Sequence, residues 1–160
     1  MGYAFGTLGL TSHVATQSLC SVCPPETGEI DMSNEATKKE LQSVDTNTIP
    51  WGELYIEQLK TGIPVKELIS DPDTGMSVLK IKYVAGFTNV WHRHNCAHGM
   101  YVLDGILKTH AGTFGPGSFV WFPEGMLMEH GATQDNDVTL LFITNKPFDI
   151  HYAFEEKEQQ

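Results

Sequence analysis

Beyond Trp51 the sequence is cut by turn-forming residues at intervals of about eight to twelve positions, a spacing that fits short strands and little else. Leu54–Leu59, Val65–Ser70, Met76–Val84, Thr88–His92, Gly99–Leu103, Ser118–Phe122, Val138–Thr144 and Phe148–Ala153 each read as a strand. Met76–Val84 alternates cleanly, with Val78, Ile81 and Tyr83 among its β-formers. The turn before it, Asp71-Pro72-Asp73-Thr74-Gly75, has a physical basis, since proline presets φ and glycine accepts positive φ. No helical stripe follows position 51, so the expected class is all-β, a sandwich or barrel.

The 160 residues suffice for one domain with a proper core, and a hydrophobic fraction of 41% is ordinary for a globular chain. No apolar run approaches the length that crosses a bilayer. Lys and Arg are scattered within a net charge of −10, which argues against nucleic acid or an anionic membrane as partner. An anionic small-molecule substrate remains compatible, because a bound cation dominates the field in its own pocket. Residues 1–45 differ from the rest: rich in Gly, Ser, Thr and Pro, they read as an irregular leader. Gly2–Leu19 is mildly apolar, but Lys and Arg are absent before Lys38, so we read no export signal. With an odd cysteine count (Cys20, Cys23, Cys96), this points to a reducing cytoplasm without disulfides. Cys20 and Cys23 lack the second pair that a zinc site needs, and Cys96 reads as loop packing.

Five of the seven histidines fall in the span from His92 to His130. His92 and His94 are two apart, so in a strand both imidazoles project to the same side, as in the first half of many metal sites. A tight loop brings His98 round behind them, and His130 follows the Pro123-Glu124-Gly125 turn. His110, in the short hairpin Lys108–Gly112, is a further acid–base candidate, whereas His13 and His151 have no evident partners.

The spacing around these residues is similar to that of the cupin superfamily. Gly86, five residues, His92-Arg93-His94, three residues, His98, six residues and Gly105 resemble its first motif. Gly117, five residues and Pro123-Glu124-Gly125 resemble the start of its second. Two positions depart from the pattern. His98 stands where the family usually has glutamate, and Met128 where it usually has its last histidine; His130, two residues on, keeps the same strand parity. The resemblance implies a single cupin (double-stranded β-helix, or jelly-roll) barrel over residues 46–154, with a frayed tail at 155–160. It also implies one divalent transition metal on His92 and His94, for which strand parity favours His130 as the third ligand over Met128 or an empty position. His98 either completes a four-histidine set, as in a subset of cupins, or sits beside a three-histidine one, and small cupins generally form homodimers.

Imidazole ligands fit iron, manganese, zinc, nickel or copper. Being neutral, they leave the full double charge on the ion, which then favours an enolate, phenolate or carboxylate oxygen. Trp91, Phe119, Trp121, Phe122, Met126 and Met128 are candidates to line an apolar pocket. The short interval from Gly105 to Gly117 resembles the branch of anti-sigma-factor cupins and dihydroxyacetophenone dioxygenases, whose dioxygenases cleave a carbon–carbon bond with histidine-bound iron. The expected function is thus an iron dioxygenase acting on a small enolisable or phenolic carbonyl compound, with His98 and His110 as candidate catalytic groups. The alternatives are a non-oxidative isomerase or lyase, and a zinc-shaped sensor without turnover.

Overall fold

The structure is a computed structural model that describes residues 40–157. His13, Cys20, Cys23 and most of the expected leader lie outside the described residues. The strands are β1 (Gly52–Ile56), β2 (Thr61–Ser70), β3 (Ser77–Tyr83), β4 (Thr88–Arg93), β5 (His98–Gly105) and β6 (Leu107–Thr109). They continue with β7 (Gly112–Phe114), β8 (Phe119–Phe122), β9 (Met128–Ala132), β10 (Val138–Thr144) and β11 (His151–Tyr152). One helix, α1 (Ala153–Lys157), follows.

The strands form two antiparallel sheets, ordered β1-β2-β3-β10-β5-β8 and β11-β4-β9-β6-β7, in the jelly-roll manner. They remain two sheets rather than one hydrogen-bonded ring. Strand β10 shows why the chain folds this way. Val138, Leu140, Phe142 and Thr144 alternate inward, and its central place between β3 and β5 fixes the register of both. Inner faces meet in one core, with Ile63, Ile81, Val102 and Phe142 from the first sheet against Leu107, Met128 and Tyr152 from the second. Each such side chain contributes on the order of 1.5–3 kcal/mol by leaving water.

Several segments differ from the sequence reading. The first strand stops at Ile56, because Glu57–Leu59 close into a 3-10 turn ended by Lys60 at φ 51°. Strand β9 was not expected, since Met128-Glu129-His130-Gly131-Ala132 lacks β-branched residues and is made a strand by pairing with β4 and β6. Of Phe148–Ala153 only His151 and Tyr152 pair, with Arg93 and His92. The chain then turns into α1, where a frayed tail was expected from residue 155.

Residues 45–51 are pinned to the first sheet by Lys66, whose buried ammonium donates to the Thr46 carbonyl at 2.6 Å and lies 4.8 Å from the Trp51 ring centre. Among the described residues no helix is long and apolar enough to cross a membrane.

Candidate metal centre

Strand β4 delivers His92, and the loop that leaves it delivers His94. The His94 carbonyl accepts from the Gly125 N–H at 2.9 Å, so the Pro123–Gly125 turn and the histidine pair hold each other in place. Gly125 sits at φ +74°, a conformation that favours glycine in such a turn. His130 enters from β9, beside β4, in register with Asn89. A bulge in the pairing between Asn89 and His92 sets His92 opposite Met128. Met128 is fully buried in the core.

The candidate ligand atoms of His92, His94 and His130 all lie within 4.8 Å of one another, and all three side chains are buried. Ring centres are 4.8 Å apart for His92–His94 and 4.9 Å for His92–His130. Nδ1 of His92 donates to the Val90 carbonyl at 2.6 Å, and Nδ1 of His94 donates to the Asp149 carbonyl. A carbonyl only accepts, so both rings carry their proton on Nδ1 and leave a lone pair on Nε2. Nε2 of His94 and both nitrogens of His130 are buried without a hydrogen-bond partner. Orphaned buried polar atoms are costly, about 1–3 kcal/mol each, and a metal ion would remove that cost for one nitrogen of each ring.

Electrostatics agree. Burial pushes the His92 imidazole down to about 4, against the opposing pull of its bond to Val90. It lowers His94 as well, and it takes His130 well below the usual range with the neighbouring histidines adding to the shift. At neutral pH these rings are therefore uncharged donors, the form a metal needs. The three histidines are positioned to bind a metal ion, and their chemistry fits a divalent transition ion.

His98, the first residue of β5, comes from the other sheet. Its ring centre is 4.8 Å from that of His94 and 6.2 Å from that of His130, so it flanks the triad rather than joining the compact group of three. The ring stacks on Phe122 at 4.9 Å and 18°, and neither of its buried nitrogens has a partner. His110 is exposed and lies over Trp91, with ring centres 5.4 Å apart. Both residues neighbour inward-facing ones, Thr109 and His92, so alternation sends them to the outer face. His151 is also exposed and bonds to the Asp149 carboxylate at 2.9 Å. Cys96 is buried and free, as loop packing requires.

A cavity of about 210 Å³ opens on His94 and His130. Its walls are not the aromatic residues expected from the motif strands. Trp91, Phe119 and Trp121 face outward and are exposed, while Phe122 and Met128 fill the core. The apolar walls come instead from Leu54, Ile56, Ile63, Leu79, Ile81, Phe142, Phe148 and Ile150. The reason is alternation again, because a neighbour of an inward histidine must point out. Among the polar residues that line the cavity, with Glu57 and Gln58, is Asn89, a buried one that the sequence reading missed.

A family model described as "ChrR Cupin-like domain" matches residues 39–149. Solved structures with the same fold include a protein of unknown function with a cupin-like fold from Ralstonia eutropha, at 20% identity and a TM-score of 0.58, over 72% of this chain and 79% of that one. The polyketide cyclase RemF from Streptomyces resistomycificus is similar at 15% identity and a TM-score of 0.57, over 71% and 86%. The Rhodobacter sphaeroides complex of SigE with the anti-sigma ChrR gives 17% identity and a TM-score of 0.50, over 62% and 51%. These identities establish likeness of fold alone. No curated protein matches the chain.

Proposed function

This chain belongs to the ChrR cupin-like domain family, and from that premise we propose that it is a non-haem iron dioxygenase cleaving a carbon–carbon bond in a small enolisable or phenolic carbonyl compound. The observation that carries the reading is the junction of a neutral, buried histidine triad with a cavity of largely apolar walls. Such a site suits a molecule with one oxyanion head and a hydrocarbon body. When bound, the ion would supply Lewis acidity toward the substrate oxygen and a place for dioxygen to react with the electron-rich enolate. Both oxygen atoms end in the cleaved products and the substrate supplies the electrons, so no external reductant enters.

His92, His94 and His130 hold the ion in this reading. His98 is the fourth donor, since its nitrogens are unpartnered and its ring lies as near His94 as His92 does. The apolar walls orient the hydrocarbon body and exclude water from the oxyanion. His110, exposed over Trp91, takes no part. We further place the protein in the cytoplasm as a homodimer, for which the short edge strand β8 with exposed Phe119 and Trp121 offers a seat.

The test is oxygen consumption by the Fe(II)-loaded protein across a panel of small β-diketones and hydroxyketones. We expect one dioxygen consumed per substrate, and His130→Ala to abolish both metal retention and uptake. Turnover that persists under nitrogen would replace this reading with a non-oxidative one, which the likeness to a polyketide cyclase favours. Metal binding with silence across the panel would leave a ligand-binding module instead.

A further inference from the structure

Asn89 and His92 are three residues apart on β4, and in a regular strand they would face opposite sides. The bulge between them reverses that parity, and both are buried on the inner face. Asn89 is only 5% exposed, and it borders the cavity together with His94 and His130. A polar side chain so placed needs partners.

One partner is Tyr152 on β11, itself fully buried, whose hydroxyl donates to Asn89 Oδ1 at 2.7 Å. That bond decides which way the amide faces. The carbonyl is occupied by the tyrosine, so the two N–H bonds of Nδ2 turn toward the histidines. The reverse orientation would press Oδ1 against the lone pair of His92 Nε2, a repulsive contact. Nδ2 lies 3.5 Å from His92 Nε2, at the outer limit of a hydrogen bond. The same Nε2 lone pair is the one a metal takes, because Nδ1 of that ring is committed to Val90. Once it is taken, Nδ2 has two hydrogens aimed into the site and no acceptor for either.

We infer that Asn89 donates a hydrogen bond to the substrate oxygen that binds beside the metal, with Tyr152 as the positioning residue that keeps the amide aimed. The inference rests on the proposed binding of an oxyanion at the histidine site and adds to it the residue that recognises that oxygen. A neutral amide donor suits this role. It strengthens as the oxygen gains negative charge, whereas a carboxylate there would repel the anion and a lysine would compete with the ion.

The experiment uses the full chain loaded with Co(II), whose visible spectrum reports the oxygen or sulfur atoms around it. Acetylacetone is the oxyanion probe, and ethanethiol is the control, since its sulfur is a weak hydrogen-bond acceptor. Metal content is measured first in the wild type, Asn89→Leu and Tyr152→Phe. All three are expected to hold one Co(II). Acetylacetone affinity should fall roughly ten- to a hundred-fold in Asn89→Leu and several-fold in Tyr152→Phe, while ethanethiol binds all three alike. Tyr152→Phe keeps the buried ring, so it reads the hydrogen bond apart from packing. Unchanged acetylacetone affinity in Asn89→Leu overturns this inference alone. Loss of Co(II) in that variant also overturns it, because Asn89 would then serve the ion rather than its ligand. A wild-type spectrum that ignores acetylacetone overturns the oxyanion reading and this inference with it.

Discussion

At the scale of single residues the site is a set of neutral imidazoles held where water cannot reach them. Burial pushes His92 down to about 4 and His98 to about 3, each below an ordinary imidazole. In the unfolded chain both take up a proton below about pH 6.5, while the folded protein resists it. The unfolded state therefore binds more protons throughout that window. Stability of the metal-free protein should be full above about pH 6.5 and decline steadily as the pH falls toward 3. Thermal melting across pH 4–8 in the presence of a chelator measures this; a flat profile below 6.5 would contradict buried neutral histidines. His98 permits a sharper experiment. Its ring is already stacked with Phe122 and packed at 4.8 Å from Phe142, yet its two nitrogens have no partners. His98→Phe should stabilise the metal-free protein by about 1–3 kcal/mol in urea unfolding and weaken metal binding at the same time. Stability gained with metal affinity unchanged would remove His98 from the ligand set. The His92–His94 pair was legible because a spacing of two needs no knowledge of the fold. Asn89 was not, since its inward aim depends on a bulge, and a bulge is set by the partner strand rather than by local sequence.

At the scale of elements the important joint is β4 against β9, which brings Asn89 and His130 side by side. The joint is unusually close. A Cβ on Gly131 would stand 2.1 Å from the Phe87 carbonyl oxygen and 2.8 Å from the Thr88 Cα, both backbone atoms with little room to yield. Gly131→Ala should force the two strands apart, cost about 1–3 kcal/mol in unfolding experiments and lower metal affinity by moving His130. Normal stability and normal metal binding would show that the strands can part without consequence. Long elements rich in strand formers were readable from sequence, β10 above all, because Val138–Thr144 is an almost continuous run of apolar and β-branched residues bounded by polar turn residues. Strand β9 was not, since its residues have modest strand preference and it forms only because β4 and β6 flank it. The pocket walls escaped for the same reason. They come from β1, β2, β3, β10 and the segment between β10 and β11, which carry no motif and reach the histidines only through the topology.

At the scale of the whole molecule the buried histidines are drawn from both sheets. His92 and His130 belong to the five-stranded sheet, His98 to the six-stranded one, and these sheets share no strand. A metal that took ligands from both would act as a clip between them, adding to the apolar core that otherwise joins their inner faces. Because the ion binds the folded chain and finds no preformed site in the unfolded one, free metal at a hundred times its dissociation constant should stabilise the protein by about 2.7 kcal/mol. The distribution of that gain distinguishes a clip from a site held by one sheet alone. With a cross-sheet ligand, the metal-dependent rise in melting temperature should shrink markedly in His98→Phe, and hydrogen exchange should slow on β5 as well as on β4 and β9 when metal is added. With the triad alone, exchange would slow on β4 and β9 while β5 stayed at its metal-free rate. Such a result would make His98 a residue that faces the bound molecule, and the pairing of a motif histidine with a three-ligand centre would then be the feature that tunes this fold to its substrate.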